Sequence, residues 1–500
     1  MSRPPNFVII VADQLRADAL GCFGSRIAKT PNIDKLAESG TIFTETYVQN
    51  PTCVPSRASF LTGLYTHVRG HRTNSHLLQA DEPNLLGILK KAGYYVMCPG
   101  IRGDTFAPGV TEQSVHEYGF WHEEMESESN WPREVWRRLH FPSPSWARIE
   151  YVGRSTDLHQ DLHDELAVRA VERRMRTPPP EPWLLFVPLI APHCPFGVDE
   201  PWFSLHRRAD MPPPLPIPAG PEAKFKSAVR NKYGTNRINL EMWRELAAVY
   251  HGMVSRMDQH VGRILRSISQ SSVKARTVVT FLADHGEYLG DFGLVEKWYS
   301  GMDRCLTRTP LIVAGGELPS GQRSEALVEL TDLLATVLDL ASITSPHTHF
   351  GRSLKPLLLD PNLMHRKYVF TEGGFNLAEA HQMEVGEKIP DFARESSVAC
   401  PTLMKAELIR EDPSTVGRTI AVRDDEWTYV WRLYERPELY HRATDPNETV
   451  NLAGTRKLRH IERRMEQALL RWRIETADVI PTTENPRFPL VFSRRPGCSH

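Results

Sequence analysis

The chain has 500 residues, of which 41% are hydrophobic and 24% are charged, and its formal net charge is -1. This is the composition of an ordinary globular protein. The balanced charge excludes the kind of basic field that attracts nucleic acid or an acidic membrane surface. The seven cysteines stand singly, without a CxxC pair, which argues against a disulfide framework and against a structural zinc site.

The N-terminal residues read MSRPPNFVIIVAD, so a short apolar run leads directly into Asp13. This run is too short for a signal peptide or for a membrane-spanning helix. No later stretch reaches the ~18 consecutive apolar residues that a spanning helix needs. We therefore expect a cytoplasmic protein without a membrane segment.

The first part of the chain alternates predicted strands and helices. The run NFVIIVA predicts a strand buried on both faces, because it is short, continuous and rich in β-branched residues. The segment TPNIDKLAESG predicts a helix that stops at Gly40, and TIFTETYV alternates like a strand. Pro55 suits the first turn of a helix that runs to Gly63. A helix in NLLGILKKAG and a strand in YYVM follow.

The middle of the chain continues this alternation between proline-rich loops. The buried strand WLLFVPLI, a long helix from EMWREL to RILRSI, the strand RTVVTFLA and the segments PLIVAGG and TDLLATVLDLASI complete a largely parallel α/β sheet. We expect this α/β domain to span residues 1–365. Short strands and one terminal amphipathic helix, Arg456 to Ala477, predict a smaller α+β subdomain with an antiparallel sheet over residues 366–500.

Three of the predicted buried strands deliver polar residues at their C-terminal ends. FVIIVA leads into Asp13 and Gln14, FVPLIAP into His193, and VVTFLA into Asp284 and His285. Ligands of open α/β sheets bind beyond these carboxyl ends, so residues far apart in sequence converge there. Each residue alone is explained as a cap, turn or loop residue, but their joint occurrence favours a site. Two carboxylates, an imidazole and an amide oxygen suit calcium, magnesium or manganese.

Several motifs carry a resemblance to one family. The segment CVPSRASFLTG, from Cys53 to Gly63, resembles the sulfatase signature Cys-x-Pro-Ser-Arg-x-x-x-x-Thr-Gly. ADQLRADALGCFG resembles the opening metal-binding strand of sulfatases, APHCPF their Pro-His-x-Pro element, and ADHGEYLGDFGLVEKW their Asp-His-Gly element. The segment from Glu438 to Ala453 resembles their C-terminal segment. The resemblance implies that the fold is an alkaline-phosphatase-like α/β sandwich with a smaller C-terminal subdomain. It also implies that the protein is a sulfuric ester hydrolase.

The resemblance also implies the fate of the cysteine. Cys53 would be converted after translation to formylglycine, an aldehyde that hydrates to a geminal diol, by a formylglycine-generating enzyme that reads the segment around it. One divalent metal is implied, with calcium as the family default and manganese, magnesium or zinc as alternatives. By matching positions, its ligands are Asp13, Gln14, Asp284, His285 and the modified Cys53.

Three further residues are expected to handle the sulfate group. Arg57, one turn into the helix behind Cys53, can donate two hydrogen bonds to the diol or to the sulfate. Lys297 matches the lysine that holds a sulfate oxygen, and His193 matches the histidine near the leaving group, which suits a general acid. The N-terminus of the same helix favours an anion through its dipole.

One departure from the family lies after the strand YYVM. Many relatives have Gly-Lys-x-His there, whereas this chain reads CPGIRGDTF. Arg102 could replace the lysine as an anion donor, and Asp104 or a metal-bound hydroxide could replace the histidine as a base.

This departure keeps two alternatives open. Phosphonate monoester and phosphodiester hydrolases resemble sulfatases, share the Asp-Gln opening and lack the Lys-x-His pair. A non-catalytic anion-binding relative is the other alternative, although every expected metal ligand is retained. The substrate that we expect is a sulfated saccharide or a small aryl or alkyl sulfate. Tryptophans around residues 121–146 could flank its pocket or pack the insert onto the sandwich.

Overall fold

The computed structural model of the protein describes residues 4–100, 105–119, 141–155, 159–271, 274–382 and 401–480. Its strands are β1 Asn6–Ala12, β2 Gly40–Tyr47, β3 Tyr95–Pro99, β4 Glu117–Gly119, β5 Tyr151–Arg154, β6 Trp183–Pro188, β7 Phe196–Val198, β8 Thr277–Ala283, β9 Arg308–Gly315, β10 Gln322–Glu329, β11 Val369–Gly373, β12 Thr419–Arg423, β13 Trp427–Arg432 and β14 Glu438–His441.

The α-helices of the same residues connect and cover these strands. They are α1 Pro31–Glu38, α2 Cys53–Thr62, α3 Thr66–Arg69, α4 Leu85–Lys91, α5 Val110–Ser114, α6 Pro144–Ala147, α7 His159–Arg176, α8 Trp202–Leu205, α9 Lys224–Tyr233, α10 Leu240–Ser269, α11 Arg304–Thr307, α12 Asp332–Leu340, α13 Lys355–Leu359, α14 Pro401–Glu411 and α15 Arg459–Glu475. None of the helices in these described ranges is long and apolar enough to cross a membrane.

The main sheet carries the large part of the fold. Within the described residues it has eight strands in the order β10-β2-β9-β8-β1-β6-β3-β4. Every neighbouring pair is parallel except those of β9, which runs antiparallel to both β2 and β8. The prediction of a mostly parallel α/β sheet is therefore confirmed. The antiparallel direction of β9 and the strand β10 were not predicted.

The central strand β1 shows why this sheet is buried on both faces. All of its residues are buried, and successive side chains point to opposite faces of a strand. Val8 and Ile10 pack in the core that also holds α10, while Phe7, Ile9 and Val11 pack in the core that holds α2, α4 and α12. A strand flanked by helices on both faces therefore reads as one continuous apolar run.

The order of the strands positions the residues predicted for the site. β1 pairs in parallel with β8 on one side and with β6 on the other, so their carboxyl ends lie at one edge of the sheet. Asp13 follows β1 and Asp284 follows β8, and Ala12 pairs with Ala283 at the ends of these two strands. His193 follows β6 after a short loop. The convergence of these strand ends is thus a consequence of sheet topology.

A second sheet forms the C-terminal part of the described chain, as predicted. Its four strands are antiparallel, in the order β11-β12-β13-β14, and α15 packs on it through Met465, Leu469 and Trp472. The first of these strands begins at Val369. The domain limits 1–365 and 366–500 stay a prediction.

Two local features differ from the sequence expectation. The terminal helix is shorter than the predicted range, because a 3-10 turn at Arg456–Leu458 precedes α15. A separate parallel pair of short strands, β5 and β7, was not predicted. Residues 120–140 of the tryptophan-rich insert lie outside the described residues, and Trp146 packs on Tyr151 with ring centroids 4.1 Å apart.

Ile10→Ala tests the role of β1 in the core. Ile10 is 0% exposed, so we expect the substitution to lower the free energy of unfolding by about 2–5 kcal/mol through lost apolar burial and a cavity. Ile474→Ala is the matched control, because Ile474 is 68% exposed and its loss should change stability by less than about 0.5 kcal/mol. Equal denaturation midpoints for both variants would contradict this description of the core.

Candidate active site

Cys53 is the first residue of α2 and is 4% exposed. The turn before it is held by Asn50, whose Oδ1 accepts from the Thr52 hydroxyl at 2.6 Å and from the Thr52 N–H at 3.1 Å. On the other side, Asn74 Oδ1 accepts from the Val54 N–H at 3.2 Å. Side chains therefore fix the N-terminal turn of this helix, where backbone N–H groups favour negative charge.

Four buried side chains meet at the carboxyl edge of the sheet. The potential ligand atoms of Asp13, Cys53, Asp284 and His285 all lie within 4.8 Å of one another. Cys53 Sγ is 3.1 Å from His285 Nε2 and 3.6 Å from Asp13 Oδ1. The structure thus brings together four of the five residues predicted as metal ligands. Their role as ligands stays a prediction.

The imidazole of His285 is oriented for a ligand role. Its Nδ1 lies 2.8 Å from the carbonyl oxygen of Gly286, which can only accept, so Nδ1 carries the hydrogen. Nε2 then presents a lone pair toward Cys53 and Asp13. Burial lowers the pKa of His285, which favours the neutral ring. Two carboxylates and a neutral imidazole around one point fit a divalent cation.

Arg57 joins the two aspartates. Its Nε donates to Asp284 Oδ2 at 2.8 Å and its Nη2 donates to Asp13 Oδ2 at 2.9 Å, with a side chain that is only 3% exposed. The Oδ1 atoms of both aspartates face His285. Its Nε2 lies 3.6 Å from Asp13 Oδ1 and 3.9 Å from Asp284 Oδ1. Arg57 therefore contacts the carboxylates directly, and its predicted contact with the sulfate stays a prediction.

Gln14 lies beside this cluster in a left-handed backbone conformation, with φ 63°. Such a conformation is uncommon for a residue other than glycine, so surrounding contacts must hold it. Its N–H donates to Asp284 Oδ1 at 3.1 Å, and its carbonyl accepts from the Tyr250 hydroxyl at 2.9 Å. Its side-chain oxygen accepts from Lys297 at 2.6 Å, while its side-chain nitrogen donates to Glu287. Its predicted role as a metal ligand stays a prediction.

Lys297 and His193 form a hydrogen-bonded pair. His193 Nδ1 donates to the carbonyl oxygen of Cys194, so Nε2 is the atom that accepts from Lys297 Nζ, at 2.7 Å. Burial alone lowers the pKa of Lys297, but acidic neighbours, among them Glu296 and Asp13, outweigh this effect, and the pKa lies well above its usual value. Lys297 is therefore an ammonium that points at the imidazole. The predicted catalytic roles of both residues stay predictions.

The thiol itself is not activated in this environment. Burial, together with the nearby Asp13 carboxylate, raises the pKa of Cys53 well above its ordinary value. Because the thiolate is the reactive form of cysteine, an unmodified side chain is a poor nucleophile here.

The structure adds residues that sequence reasoning missed. Glu287 is 0% exposed, contacts Gln14, and has a pKa that burial raises to about 7. Its position directly after Asp-His-Gly was the available signal, since a charged residue in a buried motif needs a partner. Lys405, on α14, lies 3.6 Å from Glu296 and 3.5 Å from the carbonyl oxygen of Lys297, and no motif marked it. Arg102 and Asp104 lie outside the described residues.

The fold is alkaline-phosphatase-like, as the solved structures below show, and it carries a candidate metal site at the carboxyl edge of its large sheet. The family model for sulfatases matches residues 5–343, so the chain belongs to the sulfatase family and is a sulfuric ester hydrolase. Membership of this family implies a divalent metal and a formylglycine in general, and the four-residue cluster is a possible place for the metal.

The chain is similar to one curated relative in sequence and to two solved structures in fold. The chain is 27% identical over 414 residues to an arylsulfatase of Clostridium perfringens, covering 75% of this chain and 83% of the relative. Its fold is similar to a phosphonate monoester hydrolase of Agrobacterium radiobacter, with TM-score 0.72, 23% identity and coverage of 94% and 96%. It is also similar to a protein solved with its substrate D-glucosamine-2-N,6-O-disulfate, with TM-score 0.70, 18% identity and coverage of 95% and 98%.

Gly286→Ala tests the turn that holds Asp284 and His285. A Cβ at position 286 would lie 1.9 Å from the carbonyl oxygen of Cys305, so the backbone has to move. We expect a loss of hydrolytic activity and a lower thermal midpoint. Gly220→Ala is the control, because nothing lies within 4 Å of its added Cβ. An active Gly286→Ala enzyme with an unchanged midpoint would show that this close contact does not position the site.

Proposed function

We propose that the protein hydrolyses sulfate esters. The nucleophile would be formylglycine made from Cys53, with one divalent metal beside it. The observation that carries the proposal is the place of the Cys53 side chain. Cys53 begins α2, and its Sγ lies 3.1 Å from His285 Nε2 and 3.6 Å from Asp13 Oδ1. These side chains belong to a cluster that suits a cation. A formylglycine-generating enzyme is the maturation partner that this chemistry requires.

The formylglycine, the divalent metal and the surrounding side chains would have different roles in the attack on sulfur. A hydrated aldehyde supplies a hydroxyl nucleophile, and a dication lowers the pKa of that hydroxyl and polarises the sulfate oxygens. Asp13, Asp284 and His285 would hold the dication, with the oxygen of Gln14 as a further donor. Arg57 fixes both aspartates from the far side through Oδ2. The N-terminus of α2 favours the negative charge that builds up next to it.

Departure of the alcohol needs a proton on the ester oxygen. His193 Nε2 accepts from the Lys297 ammonium at 2.7 Å. Once Lys297 donates to a sulfate oxygen instead, Nε2 can carry a proton taken up from solvent and pass it to the leaving oxygen. We assign His193 as general acid, with Lys297 as the residue that also holds a sulfate oxygen. Arg102 is the proposed second anion donor.

Calcium is the metal that we propose, as the default of the family. Two carboxylates and an amide oxygen suit this hard cation and also magnesium, whereas the imidazole of His285 also allows manganese or zinc. The substrate that we propose is a sulfated saccharide or a small aryl or alkyl sulfate. The arylsulfatase relative and the structural relative with a glucosamine disulfate support these two classes.

Hydrolysis of phosphonate monoesters or phosphodiesters is the second candidate. Gln14 favours it, because an amide stands where many sulfatases have a second aspartate, and the fold is similar to a phosphonate monoester hydrolase. A sulfate monoester carries one negative charge at the group that is attacked, as does a phosphonate monoester. Charge alone therefore does not separate the two candidates, and activity must be measured on both.

Steady-state assays with aryl sulfate and aryl phosphonate monoesters test the proposal. We expect a higher kcat/KM for the sulfate, and Cys53→Ala should lower it by ~10⁴-fold or more, because the nucleophile is lost. Cys22→Ala is the control, since Cys22 lies on a separate turn before α1. A preference for the phosphonate by orders of magnitude would reverse the order of the two candidates. A fully active Cys53→Ala enzyme would reject both.

Metal removal by a chelator should abolish the activity, and stoichiometric calcium should restore it. In the metal-free protein, added metal should also raise the thermal midpoint, because a ligand that binds only the native state stabilises it by about 2.7 kcal/mol at 100 times its dissociation constant. Asp13→Asn should weaken this thermal response. An enzyme that stays active with far less than one metal per chain by elemental analysis would contradict the proposed centre.

A further inference from the structure

Gln14 lies between two charged groups that contact different ends of its amide. Lys297 Nζ can only donate, and it lies 2.6 Å from Gln14 Oε1. Glu287 accepts from Gln14 Nε2 on the other side. If the amide were turned around, its NH₂ group would face the Lys297 ammonium, which repels it. Its oxygen would face Glu287, and this contact is also repulsive when Glu287 is ionised. One orientation of the amide is therefore strongly favoured.

Glu287 is itself held in place by the backbone. Its side chain is fully buried, and its Oε1 accepts from the N–H of Leu289 at 2.8 Å and from the N–H of Glu296 at 2.6 Å. Leu289 and Glu296 both have positive φ, 52° and 63°, in the loop that leads from β8 to Lys297. With Oε1 engaged by this loop, Oε2 is the atom left to face Gln14.

We propose that Glu287 is a positioning residue that determines which end of the Gln14 amide faces Lys297. It rests on the proposed function, because Gln14 and Lys297 are assigned there to the metal and to the sulfate. A carboxylate at position 287 selects the orientation that presents oxygen. That oxygen accepts from the Lys297 ammonium, which also contacts His193 Nε2 at 2.7 Å. Under the proposed function, the same oxygen would be the Gln14 donor to the dication.

A purely structural role of Glu287 makes a different prediction. In that case the carboxylate would act only by holding the loop through Leu289 and Glu296. Glu287→Gln separates the two roles, because a glutamine keeps one oxygen for these backbone N–H groups. Its NH₂ group then faces Gln14, which must turn its own oxygen toward position 287 and its NH₂ group toward Lys297. The loop contacts persist while the orientation of Gln14 is reversed.

The experiment is a double-mutant cycle with the variants Glu287→Gln, Gln14→Glu and both together. It is carried out in alkaline buffer, where Glu287 is a carboxylate. We expect Glu287→Gln to lower kcat/KM and metal affinity by about 10–100-fold, the usual effect of removing a residue that orients a ligand. Gln14→Glu alone places two buried carboxylates in contact and should also be impaired. In the double variant, the carboxylate at position 14 accepts from both the amide at position 287 and Lys297. It again presents oxygen, so at least half of the logarithmic loss should be recovered.

The matched control is Glu329→Gln. Glu329 is also 0% exposed and accepts from a backbone N–H, that of Phe370 at 2.7 Å, but it contacts neither Gln14 nor Lys297 in the described structure. Its substitution should show no rescue by Gln14→Glu. Wild-type activity and metal affinity in Glu287→Gln, or a double variant no better than the worse single variant, would overturn the proposal.

The same cycle separates failure of this proposal from failure of the proposed function. If the wild-type protein hydrolyses none of the esters and binds no metal, the proposed function fails. The free energy of unfolding of the four proteins still tests the contact, because a paired amide and carboxylate give a coupling energy whether or not the enzyme is active. Additive changes in stability, without coupling, would then overturn the contact between Gln14 and Glu287 itself.

Discussion

The ion pairs of Arg57 with Asp13 and Asp284 are the constraint on which the site depends. Two parallel neighbouring strands end in carboxylates that lie side by side in the interior, where like charges repel strongly and water cannot screen them. Arg57 neutralises one of these charges and contacts both carboxylates at once. Because Arg57 is one turn behind Cys53 on α2, the same contact fixes where the helix begins. The sheet thereby determines the position of residue 53.

Further buried charges of alternating sign lie next to the Arg57, Asp13 and Asp284 cluster. Lys297 lies beside Gln14 and His193, Glu296 lies beside Lys297, and Lys405 of α14 lies beside Glu296. Each of these buried charges has a partner of opposite sign, which removes most of the cost of burying it. This chain of contacts reaches from the end of β1 to a helix that follows β11, so the C-terminal part of the protein also supports the site.

Much of this arrangement could be predicted from sequence because it depends on local patterns. The apolar run before Asp13 and the proline behind Cys53 predict a buried strand and a helix start, and both lie where expected. Parallel strands then bring the strand ends together. The direction of β9, the orientation of the Gln14 amide and the approach of Lys405 could not be predicted, because they depend on contacts between residues distant in sequence. A single chain carries no pattern that records such contacts.

Peptide mass spectrometry of residue 53 in active, natively expressed protein shows whether Cys53 is converted to formylglycine. We expect the peptide from this position to carry an aldehyde, captured by a hydrazine reagent, in proportion to the specific activity of the preparation. An intact sulfhydryl at Cys53 in a fully active preparation would contradict this expectation, since the buried thiol would then have to be compatible with catalysis without conversion.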